Sequence, residues 1–254
     1  MADLYSSTSD GSIYSAPNGT WANSRDDTSG IVTATTSNSF SDFTSVSKFS
    51  SRGGGNTYKI TRTFMWFDTS GITGTVTSAT IKIHGYTAND GSIIPVKSTA
   101  FGGDGGTALA TGDINAITGY SSGSSLAGNA TTYGPRILTT NWSTSAYNDF
   151  AGTSDLKTDM QNNDVVIICF MDYTHDYLNS APSSSGTFNC GGYYTDYGGT
   201  DHDPYISYAE TAGSPDNSFQ YKVNGLIGAA TGREIQKISG VLKNNNIREV
   251  IGVD

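Results

Sequence analysis

Three histidines, His84, His175 and His202, carry most of the ionisable chemistry that this 254-residue sequence offers near neutral pH. His175 follows Asp172 by three residues, and His202 stands between Asp201 and Asp203. Either set could supply metal ligands, yet neither has the spacing of a zinc site. Asp196, Asp201 and Asp203 lie in a Gly-rich stretch and suit a hard cation better, calcium above all, because carboxylates and flexible backbone carbonyls offer oxygen ligands. The same residues read more simply as solvated loop acids, so no cofactor is expected. Tyr193, Tyr194 and Tyr197, with Trp142 elsewhere, present flat apolar faces that could stack on sugar rings or contact a receptor. Packing between loops and sheet, or across a subunit contact, explains these rings as well.

Catalytic signatures are missing. No Gly-x-Ser-x-Gly elbow occurs, and neither Cys169 nor Cys190 has a histidine close in sequence. Paired carboxylates for glycoside cleavage exist in any acidic chain, and the separation they need is not written in a sequence. The run Gly225-Leu-Ile-Gly228-Ala-Ala-Thr-Gly232-Arg233 has neither the spacing of a phosphate loop nor its Lys-Ser/Thr ending. The chain is expected not to be an enzyme.

The elements that would position these residues are strands. Charged residues make up only 15% of the chain, Gly reaches 31 and Ser and Thr are dense throughout, the pattern of many short strands joined by turns. From Tyr58 to Phe67, Ile60, Arg62, Phe64 and Trp66 take one face, and Thr61, Thr63, Met65 and Phe67 the other. Both faces are expected to be covered near the end of that strand. Ile81 and Ile83 alternate with Thr80, Lys82, His84 and Tyr86, which predicts one solvent face. Val165 to Met171 is a continuous apolar run and reads as a strand buried on both sides, at the centre of the core. Tyr205 and Ser207 oppose Ile206 and Tyr208 in a last strand. Ile31 to Thr35 and Ile93 to Ser98 are weaker strands, the second shifted toward an edge or bulge by Pro95.

Ala146 and Phe150, then Leu156 and Met160, are spaced by four, which predicts one or two helical turns with Ser154 as a cap. Between Phe101 and Tyr133, Gly, Ser, Thr and Ala dominate, so long surface loops are expected there.

A net charge of −9 without a Lys/Arg cluster excludes nucleic acid as a partner, since phosphates need a concentrated basic patch. The longest apolar run, Val165 to Met171, is far short of the roughly 20 residues that span a bilayer, so no membrane is expected. The stretch Met1-Ala-Asp-Leu-Tyr-Ser-Ser has no basic or apolar signal region, so synthesis in a cytoplasm is expected. In that compartment Cys169 and Cys190 stay free thiols, and the sequons at Asn18, Asn129 and Asn141 go unused.

After Ala209 the composition changes. Residues 210–218 read as a linker, and 219–254 as a tail of short repeats: Lys222-Val-Asn-Gly225-Leu, Lys237-Ile-Ser-Gly240-Val and Glu249-Val-Ile-Gly252-Val. Each unit would hold one short strand and one turn. A strand that short must stack on neighbours, and the same segments of other copies are the expected ones. Val223, Ile238 and Val250 would be buried between strands, with Gly225, Gly240 and Gly252 at the turns. A closed trimer, which leaves no free sheet edge, is the favoured homo-oligomer.

Two stretches resemble a known family. Arg62-Thr-Phe-Met-Trp-Phe-Asp-Thr-Ser-Gly-Ile72, followed by Val76-Thr-Ser-Ala-Thr-Ile-Lys-Ile83, is similar to the motif of DNRLRE-type β-sandwich modules. Asp203-Pro-Tyr-Ile-Ser-Tyr208 resembles the strand that closes them. The resemblance covers residues 3 to 209 and implies an all-β, antiparallel jelly-roll-like sandwich over 1–209. The terminal repeats are similar to tails of predicted phage virion proteins. Together these imply a non-enzymatic bacteriophage virion protein, a capsid decoration, fibre or tail-associated adhesin, whose partners are its own copies, other virion proteins and host surface glycans. A secreted carbohydrate-binding module and a polysaccharide-degrading enzyme are the alternatives.

Overall fold

The alternating stretch from Tyr58 to Phe67 lies within one strand of a large antiparallel sheet. The structure is a computed structural model that describes residues 1–28, 30–34, 39–195, 198–211, 219–223 and 226–230, of which 32–34, 39–42, 219–223 and 226–230 are described by backbone alone. The chain divides into two units, Met1–Thr211 and Ala212–Asp254.

The first unit contains β1 (Ala2–Tyr5), β2 (Gly11–Tyr14), β3 (Ile31–Ala34), β4 (Ser39–Ser50), β5 (Asn56–Asp68), β6 (Thr75–Asn89), β7 (Ser92–Lys97), β8 (Ile137–Leu138), β9 (Tyr147–Ala151), β10 (Val165–Asp172), β11 (Gly186–Tyr193) and β12 (Tyr205–Thr211). They form one antiparallel sheet in the order β1-β12-β6-β11-β4-β5-β10-β7-β8, with β9 also on β6, β2 also on β5 and β3 on β2. All-β architecture follows directly from the sequence pattern.

The period-two pattern decides what each strand buries. Met65 and Phe67 of β5 and Val166, Ile168 and Phe170 of β10 share one cluster with Ile81 and Ile83 of β6 and Ile206 and Tyr208 of β12. Strands far apart in the sheet order thus face each other, so the sheet curls back over its own apolar side. Phe64 of β5, Val96 of β7 and Ile167, Cys169 and Met171 of β10 point the other way, into a second cluster. The strand Val165–Asp172 is therefore buried on both sides, as its unbroken apolar run predicts. Each such side chain removed from water contributes about 1.5–3 kcal/mol.

The second cluster is roofed by the Gly/Ser-rich region, which contributes Phe101, Ile114, Ile117 and Leu126. Most of this stretch is exposed loop, as expected, and its few buried residues were not foreseen. Single 3-10 turns at Phe101–Gly103 and Thr111–Asn115 lay the stretch across the sheet and supply an apolar lid without any regular periodicity.

Two further expectations change in detail. Ala146 and Phe150 lie in or beside β9, not a helix, with Asn148 and Phe150 inward. The helix that follows, α2 (Ser154–Asn162), is capped by Thr153, whose hydroxyl accepts from the Leu156 amide at 3.3 Å. Leu156 and Met160 form its buried face. β7 is bordered by β8 only at Ser92 and Ile93, which leaves Pro95 near the sheet edge.

The two cysteines sit in different clusters, Cys190 in the first and Cys169 in the second, so no disulfide can join them. Burial pushes both thiols above their usual range.

A buried ionic knot pins the lid. Arg62 of β5 donates from Nε and Nη2 to the two carboxylate oxygens of Asp176, both at 2.7 Å, and from Nη1 to the Ile114 carbonyl at 2.6 Å. Arg25, at the end of α1 (Trp21–Arg25), donates from Nε to the Asp176 carbonyl at 2.9 Å. The Tyr120 ring lies 5.3 Å from both guanidinium groups. Burial alone would lower the Arg62 pKa, but the Asp176 carboxylate overrides it and holds the cation charged.

In the second unit, β13 (Phe219–Val223) pairs with β14 (Leu226–Ala230), Val223 opposite Leu226. Gly225, Ile238, Gly240, Val250 and Gly252 lie outside the described residues, and the side chain of Val223 is not among those described. Among the described residues no helix is long and apolar enough to cross a membrane.

Candidate functional site

Strand register places a row of rings on the outer side of β1, β12, β6 and β9. Tyr5 is opposite Tyr205, Tyr205 opposite Lys82, and Lys82 opposite Asp149. Two residues further along, His84 is opposite Tyr147. Because alternate residues share a face, all of these side chains emerge on the side away from Ile81, Ile83 and Ile206.

The rings touch in sequence. Tyr5 and Tyr205 are 5.5 Å apart between centroids, Tyr205 and Tyr147 5.1 Å, Tyr147 and His84 5.2 Å, His84 and Tyr193 5.2 Å, and Tyr193 and Tyr86 5.6 Å. His202 caps the middle, 4.0 Å from His84 and 4.6 Å from Tyr193. Tyr5 is 45% exposed and Tyr86 43%, so both ends of the strip meet solvent, while His84 at its centre is 8% exposed. Most contacts are edge-on, an arrangement that uses the ring quadrupole.

The loop carrying His202 is clamped to the strip. The Tyr147 hydroxyl donates toward the backbone carbonyls of Asp201 at 3.0 Å and Asp203 at 3.2 Å. Burial raises the Tyr147 pKa, so the hydroxyl stays protonated and keeps its donor role. Beside Tyr147 opens a pocket of about 580 Å³, lined by Lys82, Arg136, Ile137, Asn141, Ser143, Asn148 and Asp149. Lys82 donates to both Asp149 oxygens at 2.7 Å.

His84 was expected to face solvent, and its strand does turn it outward, but Tyr147, Tyr193 and His202 cover it. Burial and the neighbouring His202 lower its pKa, against the opposing pull of the Gly85 carbonyl. A base whose folded pKa is depressed binds fewer protons folded than unfolded, so its contribution is full above about pH 6.5 and is lost as pH falls. Urea midpoints should therefore drop between pH 7.5 and 5.5, and His84→Phe should flatten that drop. An equal drop in the variant would contradict the assignment.

Of Trp142, Tyr193 and Tyr194, the described residues singled out in the sequence for sugar or receptor contact, Tyr193 lies on this strip. Trp142 is 5% exposed, packs on Phe150 and donates from Nε1 to the Gly191 carbonyl at 3.2 Å. Tyr194 is fully buried, with its hydroxyl bonded to Ser12 and Thr63. Neither ring can stack on an external ligand in this structure, which corrects those two expectations. Tyr197 and Asp196 lie outside the described residues. Asp203 is buried and Asp201 exposed, and among the described residues no group of three or more His, Cys, Asp or Glu is gathered to hold a metal.

Tyr5, Tyr86, Tyr147 and Tyr205 escaped the sequence reading. Outward positions on predicted strands were the signal for Tyr86 and Tyr205, but only the pairing shows that the rings are neighbours. No protein-family model matches the chain, and no curated protein matches it.

Proposed function

We propose that this chain is a non-enzymatic display protein of a bacteriophage particle, and that residues 1–209 form a jelly-roll-like unit that takes surface glycans on the aromatic strip. The observation that carries the glycan reading is the run of ring contacts from Tyr5 through Tyr205, Tyr147, His84 and Tyr193 to Tyr86. Sugars present apolar C–H faces edged by hydroxyls, and a tyrosine strip offers both a flat face and a polar rim. Antiparallel strands that curl over one shared core support the jelly-roll assignment.

The placement in a virion rests on the repeats at Gly225, Gly240 and Gly252 and on their likeness to phage tails. In this reading residues 219–254 join three copies to one another or to the particle, and the strip faces outward. A secreted carbohydrate-binding module is the second reading, favoured by the same strip. It differs in requiring no assembly through the repeats.

Binding of the full chain to an array of neutral and acidic oligosaccharides tests the shared part. Retention should fall about tenfold when Tyr193 and Tyr205 are both replaced by Ala, since about 1.4 kcal/mol of lost stacking is one decade. Both side chains are half-buried at the surface, so the fold should survive. Unchanged retention in a folded double variant would overturn the strip as the contact surface.

A further inference from the structure

The pocket beside Tyr147 has a charge that the strip does not need. Lys82 is neutralised by Asp149, to which it donates twice at 2.7 Å. Arg136 is exposed and its guanidinium sits 4.6 Å from the centroid of the Tyr173 ring, which orients it. Among the described residues no carboxylate forms a salt bridge with Arg136. The pocket therefore holds two cations and one anion, one positive charge in excess, on a chain whose net charge is −9.

From this charge balance we infer that the pocket is a subsite for the carboxylate of an acidic sugar, which pairs with the Arg136 guanidinium while the sugar ring rests against Tyr147. A guanidinium already held over an aromatic ring presents its N–H groups in a fixed plane and matches the two oxygens of a carboxylate. Asn141 and Ser143 border the same space and can hydrogen-bond hydroxyls. The volume of about 580 Å³ is that of a small-ligand site. Tyr147 belongs to both pocket and strip, so one glycan can occupy both.

This inference rests on the glycan reading above and fails separately from it. The test uses matched pairs that differ in charge: an oligogalacturonate against the neutral galactan oligomer of the same linkage, and sialyllactose against lactose. Calorimetric titrations of the full chain would be run at low and physiological salt. At least one acid should bind about tenfold more tightly than its neutral partner, and the pair that does so names the source as a uronic or a sialic acid. Arg136→Gln should erase that preference, so that the acid binds no more tightly than its neutral partner, and Arg136→Lys should restore part of it. The preference should shrink with added salt.

Equal affinity for acid and neutral partners would overturn the inference and leave the glycan reading standing. A preference that survives Arg136→Gln would overturn it too. No binding of any probe would remove both readings.

Discussion

Replacing Arg62 with Met should destabilise the protein by about 3–5 kcal/mol, because it strands the Asp176 carboxylate in the interior with its main partner gone. Arg62 and Arg25 are fully buried and Asp176 is 1% exposed. An ion pair so placed adds little net stability of itself, since removing both charges from water costs about as much as their attraction returns. The penalty arises when one partner is deleted. Among the described residues, the Asp176 carboxylate would keep the Arg25 Nε contact at 3.3 Å. The Ile114 carbonyl and the Asn115 amide oxygen would each lose a donor at 2.6 Å. These acceptors belong to the lid over the second cluster, so its Phe101, Ile114 and Leu126 should loosen first. Urea denaturation measures the loss. Arg62→Met with Asp176→Leu should be less destabilised than Arg62→Met alone, and a loss below about 1 kcal/mol for the single variant would refute the account of the knot.

Gly85→Ala should cost about 3 kcal/mol and abolish glycan binding, at a position where no catalytic or charged group is touched. A Cβ at Gly85 would lie 1.8 Å from the Ser143 carbonyl oxygen, 2.8 Å from Trp142 Nε1 and 2.9 Å from Asn148 Nδ2. The carbonyl cannot retreat freely. Asn148 holds Ser143 from both sides, accepting from its amide at 2.7 Å and donating to its carbonyl at 2.9 Å. Gly85 itself donates to the Ala146 carbonyl at 3.1 Å. The methyl group would therefore push the start of β9 off β6, and Tyr147 with it. Gly53, where a Cβ meets nothing within 4 Å, is the matched control, and Gly53→Ala should be nearly neutral. Thermal melts of the two variants beside wild type decide the point.

Much of the fold was legible because period-two alternation is a local signal. β12 and the Ala79–Ile83 part of β6 alternate as that signal has it, and the unbroken apolar run of Val165–Asp172 is a second local signal, met by burial on both sides. β9 was misread for a physical reason: a spacing of four, as between Ala146 and Phe150, keeps residues on one face of a helix and also on one face of a strand. The lid over the second cluster was missed because Phe101, Ile114, Ile117 and Leu126 have no common period, and only the sheet beneath gathers them.

The site was legible in kind and not in place. A cluster of tyrosines in sequence says nothing about direction, and adjacent residues point to opposite sides. Tyr193 therefore joins the strip while Tyr194 enters the core. Tyr5 and Tyr205 are neighbours only through the pairing of β1 with β12, a contact across the whole unit that no local pattern encodes.

The central claim is that the aromatic strip is the surface that meets a glycan, and the tyrosine ring resonances report on it most directly. A titration of the full chain with the best-retained oligosaccharide from the array, followed by ring-proton chemical shifts, should move Tyr5, Tyr86, Tyr147, Tyr193 and Tyr205 together along one binding curve. The buried rings of Tyr133 and Tyr194 should stay still. Shifts confined to other tyrosines, or none at saturating ligand, would contradict the account.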